Sequence, residues 1–235
     1  MPEAWLAEYL QPGRRLTEVG PGILSGVAPT APSSGYDGHA RSYDRLVGNR
    51  FYNRLVWGIP VASYEAFAAA AVADSNGPLL DVGCGTAVFS AESYRRTDRP
   101  LVLVDRSMDM LIRAAERLQG AHTRRIVFVQ ADMFDLPFRT EAFATVACHG
   151  LLHLFEKPDQ VLRVLRAQIA ADGSLYATSL VAETRIGTTW LRLLHRIGEA
   201  AVPRRHDDLL ALARITLGGD VDFRCEGSMV FLHSH

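Results

Sequence analysis

Cysteine is scarce in this chain, with three in 235 residues, at positions 84, 148 and 225, and no C-x-x-C pair among them. That scatter excludes a disulfide framework and a cysteine zinc site, and it suits a reducing cytosol. Long apolar runs are missing as well: none reaches the roughly 18 residues that a membrane span requires. The opening residues Met1-Pro2-Glu3-Ala4-Trp5 lack the basic and apolar regions of a signal peptide, so a cytoplasmic protein without a membrane span is expected. Charge of one sign is not in excess either, since the formal net charge is -1, and no global basic field draws the chain to nucleic acid. Internal repeats are absent. What the chain does have is 48% hydrophobic and 22% charged residues, enough to bury one good core in a single domain with appendages.

The most informative stretch is Leu79-Leu80-Asp81-Val82-Gly83-Cys84-Gly85-Thr86-Ala87. An apolar, strand-like run ends in an acid and then in a glycine turn. Glycines at 83 and 85 permit positive φ and close approach of a ligand to the backbone. Val88 to Tyr94 then reads as a helix whose free amides face that ligand, the usual place for ligands of open α/β sheets. A dinucleotide fingerprint needs a third glycine three residues after the second, and that position is Val88. An acid beside turn amides instead suits a zwitterion, whose ammonium and carboxylate need both.

Two further strands end in acids. Pro100 to Asp105 is a buried strand whose Asp105 stands about 20 residues beyond Gly85, the separation at which a βαβ unit presents a carboxylate to ribose hydroxyls. Ile126 to Met133 is another, with Asp132 able to accept from an amine and Met133 able to pack on a π-face. Asp135 reads as a turn residue. Phe143 to His149 forms a fourth strand leading to His153, and either histidine could take a proton from an acceptor or serve in structural hydrogen bonding. Their four-residue spacing permits metal ligation on a helix, but no third ligand is signalled, so no metal is expected.

The D-x-G-x-G turn, the phrase Val104-Asp105-Arg106-Ser107-Met108-Asp109-Met110-Leu111 and the segment Asp132-Met133 through Leu136-Pro137-Phe138 together resemble the class I S-adenosylmethionine (SAM) dependent methyltransferases, of the ubiquinone/menaquinone-biosynthesis type known as methyltransferase domain 11-like. The resemblance covers Tyr43 to about Leu180. It implies an α/β, Rossmann-like, doubly wound, seven-stranded and mostly parallel sheet with an antiparallel terminal strand. It implies SAM as cofactor, S-adenosylhomocysteine as product, and cofactor contacts from Tyr43, Asp81, Gly83, Cys84, Gly85, Thr86, Asp105, Arg106, Met110, Asp132, Met133 and His149. The catalytic candidates are His149 and His153. Departures from the family pattern are Ala87 for a third glycine, Ala144 for an aspartate, and Ala171-Asp172-Gly173 for Pro-Gly-Gly.

Outside these motifs the reading is coarser. Residues 3 to 10 read as a short helix, and 1–41 as an N-terminal extension. Within it Gly20 to Gly38, broken by glycine and proline, is either a linker or an active-site cover. The methyltransferase domain is then 42–235. Ala40 to Trp57 resembles the family's cofactor-capping "YD" helix, though Tyr43 and Trp57 could equally be packing aromatics. Pro158 to Ala171 is an amphipathic helix and Ser174 to Leu180 a strand. Helices Thr184 to Val202 and Asp207 to Ile215 lie in an insertion, about 183–215, that either walls a substrate pocket or covers the sheet. Asp220 to Cys225 and Ser228 to His233 read as a closing hairpin. A small-molecule acceptor is expected: Trp190, Leu194 and Phe51 suggest an aromatic, quinone-like or lipid-like molecule, while Arg204 and Arg205 would admit an acidic group. Two rival readings are a SAM-binding protein of the same fold without methyl transfer and, less favoured, an NAD-dependent oxidoreductase.

Overall fold

A computed structural model describes residues 5–26, 47–120, 125–218 and 220–235. Its centre is a nine-stranded sheet in the order β1-β2-β5-β4-β3-β6-β7-β9-β8. The strands are β1 (Thr17–Gly20), β2 (Ile23–Ser25), β3 (Leu79–Val82), β4 (Leu101–Asp105), β5 (Ile126–Gln130), β6 (Phe143–Cys148), β7 (Ile169–Leu180), β8 (Val221–Glu226) and β9 (Met229–Ser234). Strands β3 to β7 pair in parallel, while β9 runs antiparallel to β7 and β8. These seven, β3 to β9, are the expected doubly wound sheet. The N-terminal hairpin β1-β2 adds two more strands, with β2 parallel to β5.

Alternation fixes which face each side chain takes. Leu79, Leu101, Leu103, Ile126 and Phe128 are buried on one side. Leu80, Val102, Val104, Val127 and Val146 are buried on the other. Strands apolar on both faces need helices on both, which is why the central strands read as continuous apolar runs. At the N-terminal end of the sheet the buried Arg99 ties helix Val61–Ala73 down: Nη1 donates to the Ala71 and Val72 carbonyls at 2.9 and 2.8 Å, and Nη2 to Thr145 Oγ1 at 2.8 Å.

Several boundaries differ from those predicted. The run after the glycine turn is helical only over Ala91–Arg95, because Ala87 adopts a left-handed φ of +54° and turns the chain before the helix starts. Pro158–Gln168 stops three residues early, and Ile169 already pairs with Phe143 in β7. The two helices of the insertion are Arg185–Arg196 and His206–Leu217. Gly20 to Ser25, predicted as part of a loop, lies in the β1-β2 hairpin. Leu6–Tyr9 is a 3-10 turn with Leu6 fully buried, so residues 5–26 pack into the same body as the sheet. The rest of the stretch Gly20 to Gly38, expected as a linker or an active-site cover, lies outside the described residues from position 27 on, as does Tyr43.

The turn between β8 and β9 closes on the segment before helix Val61–Ala73. A Cβ on Gly227 would stand 2.2 Å from the Trp57 carbonyl oxygen, and the neighbouring Ser228 N–H donates to that oxygen at 2.7 Å. Only glycine allows the hairpin tip to dock there.

Candidate active site

The carboxyl ends of β3, β4 and β6 open onto one cavity of about 510 Å³. Gly83 and Gly85, at φ +72° and +53°, carry the chain out of β3, and the Gly83 and Cys84 amides both donate to the Val104 carbonyl, at 2.8 and 2.9 Å. Asp105 at the end of β4 fixes the turn from the other side. Its Oδ2 accepts from Gly85 N–H at 2.9 Å and its Oδ1 from Ser107 N–H at 2.8 Å. The residue expected to hold a ribose therefore also holds the glycine turn in shape. Space confirms the glycine at 83, where a Cβ would stand 2.8 Å from the Leu151 side chain.

Asp81 sits beneath this turn, 1% exposed. Its Oδ2 accepts from the Tyr94 hydroxyl at 2.8 Å, while Oδ1 is buried with no partner among the described residues. Burial pushes the carboxyl up to about 7, with repulsion from Asp105 adding to it and the Tyr94 hydrogen bond opposing it. A buried carboxylate oxygen without a partner, on a residue of the cavity wall, is costly unless a donor arrives. A cationic amino group is such a donor, and the ammonium of SAM's amino-acid end fits it. Burial and the two neighbouring carboxylates also push the Cys84 thiol well up, so it stays protonated.

Of the site residues expected from sequence, Asp81, Gly83, Cys84, Gly85, Thr86, Asp105, Arg106, Met110, Met133, His149 and His153 all line this cavity. Asp132 is not among its lining residues: it caps the turn Met133–Asp135 by accepting from Phe134 N–H at 2.9 Å and faces Arg106 at 3.9 Å. Both histidines are enclosed by protein yet open to the cavity, and burial pushes each down to about 4. They differ in engagement. His149 Nε2 is buried and unpartnered among the described residues, with Phe67 edge-on to the ring at 5.9 Å. The Nδ1 of His153 is the acceptor of a long bond from Leu180 N–H, at 3.5 Å.

The cavity continues past the glycine turn into an apolar compartment that sequence reasoning did not assemble. Tyr52, Trp57, Tyr64, Phe89, Leu180 and Met229 wall it, with Leu194 from helix Arg185–Arg196. Tyr64 and Phe89 stack at 4.4 Å and 10°. The aromatic stretch before β3 was a signal for part of this wall; the residues from β7 and β9 carried none, because only the sheet order brings them here. Leu194 is placed as expected, but Phe51 is 87% exposed and points away, and Trp190 packs edge-on to Tyr52 at 6.2 Å rather than lining the cavity. Arg204 and Arg205 do not line it either. The first donates to the Phe155 carbonyl at 3.2 Å, and the second pairs with Glu183 at 3.6 Å.

One group with metal-like spacing occurs among the described residues, Asp74, His233 and His235, at the opposite end of the sheet. Asp74 there already accepts from the Tyr176 and Thr145 hydroxyls, at 3.0 and 3.3 Å. The buried Arg99 nearby supplies its positive charge.

Residues 73–200, more than half of the chain, match the family described as "Methyltransferase domain". The chain belongs to the methyltransferase-domain family. Its sheet, with the antiparallel terminal strand, is the Rossmann-like fold of SAM-dependent methyltransferases, and SAM is the cofactor that goes with it. The NAD reading is set aside by the same match, in agreement with Val88. Among relatives, a malonyl-[acyl-carrier protein] O-methyltransferase of Legionella pneumophila is 29% identical over 167 residues, covering 67% of this chain and 53% of that protein. A demethylmenaquinone methyltransferase of Thermobifida fusca is 32% identical over 103 residues, covering 43% of each. The chain thus spans about half the length of the curated relatives it matches. In fold it is similar to a SAM-dependent methyltransferase from Thermotoga maritima, with a TM-score of 0.57 at 16% identity over 82% of this chain and 97% of the other.

Proposed function

We propose that this protein transfers the methyl group of SAM to a small, uncharged, apolar acceptor of aromatic, quinone-like or lipid-like character. The observation that carries this reading is that, in one cavity, a turn suited to the amino-acid and ribose ends of SAM runs into a compartment walled by Tyr52, Trp57, Tyr64, Phe89 and Met229. When bound, SAM supplies a methyl carbon already activated by its sulfonium, so the protein's task is to hold the acceptor in line and exclude water. In this reading Asp81 holds the ammonium, Asp105 the ribose hydroxyls, and Met110 and Met133 pack beside the adenine.

The names of the relatives supply two acceptor classes, a quinol and a malonyl thioester. Charge favours the first. Arg106, at the cofactor end, is the one arginine or lysine among the described residues that line the cavity, so a malonyl carboxylate would enter an apolar compartment without a cationic partner. A quinol-like hydroxyl needs only a proton acceptor, and in this reading it is neutral His149, a residue of the cavity wall whose Nε2 has no partner among the described residues. His153, already tied to Leu180 N–H, is assigned the supporting position.

The test is release of S-adenosylhomocysteine from purified protein and SAM in the presence of a demethylated quinol, a simple catechol or a malonyl thioester. Turnover on the aromatic acceptors is expected. Turnover on the malonyl thioester alone would reverse the choice of acceptor, and cofactor binding with none on any acceptor would favour a non-transferring SAM protein.

A further inference from the structure

Two helical segments that wall the cavity with their inner faces carry an unusual outer face. The first runs from Arg50 to Trp57, as Arg50–Tyr52 continued by a π-helical turn Asn53–Trp57, and it packs against Arg185–Arg196 through Tyr52 and Trp190. Phe51 and Leu55 on the first are 87% and 71% exposed; Ile186, Leu193 and Ile197 on the second are 54%, 44% and 62% exposed. Their spacings, four residues on one helix and seven then four on the other, put each set on one stripe. Large apolar side chains gathered like this mark a contact surface rather than random exposure.

The charge around them names the contact. Arg50, Arg54, Arg185, Arg192 and Arg196 are all exposed on these segments, and residues 47–57 and 185–197 contain no aspartate or glutamate. None of the five arginines takes part in an ion pair among the described residues. A local excess of five positive charges thus stands on a chain whose formal net charge is -1. Apolar side chains flanked by arginines, on helices lying along the surface, are what an anionic lipid headgroup layer accommodates: the arginines meet phosphates and the apolar tips enter the acyl boundary. Neither helix alone is long and apolar enough to cross a bilayer, and Arg50–Trp57 passes that test only jointly with Val61–Ala73, to which it stands bent by 99°.

We propose that this face rests on the surface of an anionic lipid membrane. An acidic protein partner would use the arginines but would leave Phe51, Leu55 and Ile197 without apolar cover, so the lipid surface accounts for more of the patch. The proposal stands apart from the acceptor's identity, and its failure would leave the methyl-transfer reading untouched.

The test is co-flotation of the full chain with vesicles of phosphatidylglycerol mixed into phosphatidylcholine, against vesicles of phosphatidylcholine alone. Flotation with the anionic vesicles only, weakened by added salt, is expected. The double variants Phe51→Ser/Leu55→Ser and Arg192→Gln/Arg196→Gln change exposed side chains, so S-adenosylhomocysteine binding should persist in both and certify the fold. Each should float less, with roughly fivefold weaker partitioning for every arginine neutralised. Three results would overturn the proposal: no flotation, equal flotation with both vesicle types, or both variants floating like the parent. Capture of an acidic soluble protein by the arginines without vesicle binding would overturn it too.

Discussion

Lowering the pH from about 8 to about 6 should loosen the hold of the glycine turn on an amino-acid ligand, because Asp81 titrates inside that window. Burial raises this carboxyl to about 7 in the free protein, and the unpartnered Oδ1 is the atom that would receive the ligand's ammonium. The charged form is the one that attracts an ammonium, so a ligand that pairs with it pulls the proton off. Above about 7 the carboxylate is already ionised and affinity is at its plateau. Below it, the proton must first be removed, and affinity falls towards tenfold per pH unit. Between about pH 8 and about pH 6 the ionised fraction drops by close to a factor of ten, which is about 1.4 kcal/mol of binding free energy. At still higher pH the ligand's own amino group loses its charge, so the full profile should be a bell. The cavity histidines, held near 4, do not change charge in this range. Calorimetric titration with S-adenosylhomocysteine in buffers of different ionisation enthalpy would read both the affinity and the proton released on binding. Asp81→Asn should bind more weakly and lose the acid limb of the bell. A wild-type affinity that stays flat across the window, or an acid limb that survives in Asp81→Asn, would refute the assignment.

The same carboxyl should affect the free protein: a raised acid binds more protons folded than unfolded, so its stability contribution is lost as pH rises from about 4 to about 7, by up to about 4 kcal/mol, and the melting temperature of Asp81→Asn relative to wild type should rise across that range. Asp105→Ala should weaken S-adenosylhomocysteine binding by more than tenfold, since it removes a charged partner at about 1.5 to 3 kcal/mol, and also raise amide exchange at Gly85 and Ser107, whose N–H groups it accepts; unchanged affinity in a folded variant would sink the assignment. Ala87→Gly should leave stability unchanged or raise it by up to about 1.5 kcal/mol, because it relieves a left-handed alanine costing about 1 to 2 kcal/mol against a glycine entropy cost of about 0.5 to 1; a lower urea midpoint would show that the turn is not strained there. His149→Ala should cut turnover by about 10² to 10⁴ with cofactor affinity nearly intact, and the wild-type rate profile should lack an inflection from this histidine near its ordinary value of about 6.5; a destabilised variant with full turnover per folded molecule would assign the ring to packing.

How far the site could be read from sequence depended on whether its residues are neighbours along the chain. The glycine turn, Asp105 and Met133 stand at or just after strand ends, and a strand ending in an acid announces both its own end and what it presents there, so the parallel core and most of the residues that line the glycine-turn end of the cavity were legible. Helix onset after the turn was not, since alanine carries no sign that its backbone will be left-handed; the steric demand of the loop imposes it. The apolar half of the cavity is assembled by topology. Met229 reaches the cavity only because β9 inserts between β7 and β8, and Tyr64 only because Phe89, beyond the turn, comes back to stack on it. Composition even misled there. Phe51 and Arg204 have the right chemistry for a substrate pocket and stand in the right stretches, but the helical turn aims Phe51 outward and loop carbonyls occupy Arg204. An apolar residue next to a site can belong to the pocket or to the outer surface of its wall, and only the helix phase decides which. Phase puts Tyr52 and Trp57 inward and Phe51 and Leu55 outward on one short segment, so a cavity wall and an exposed apolar face are two sides of the same turn.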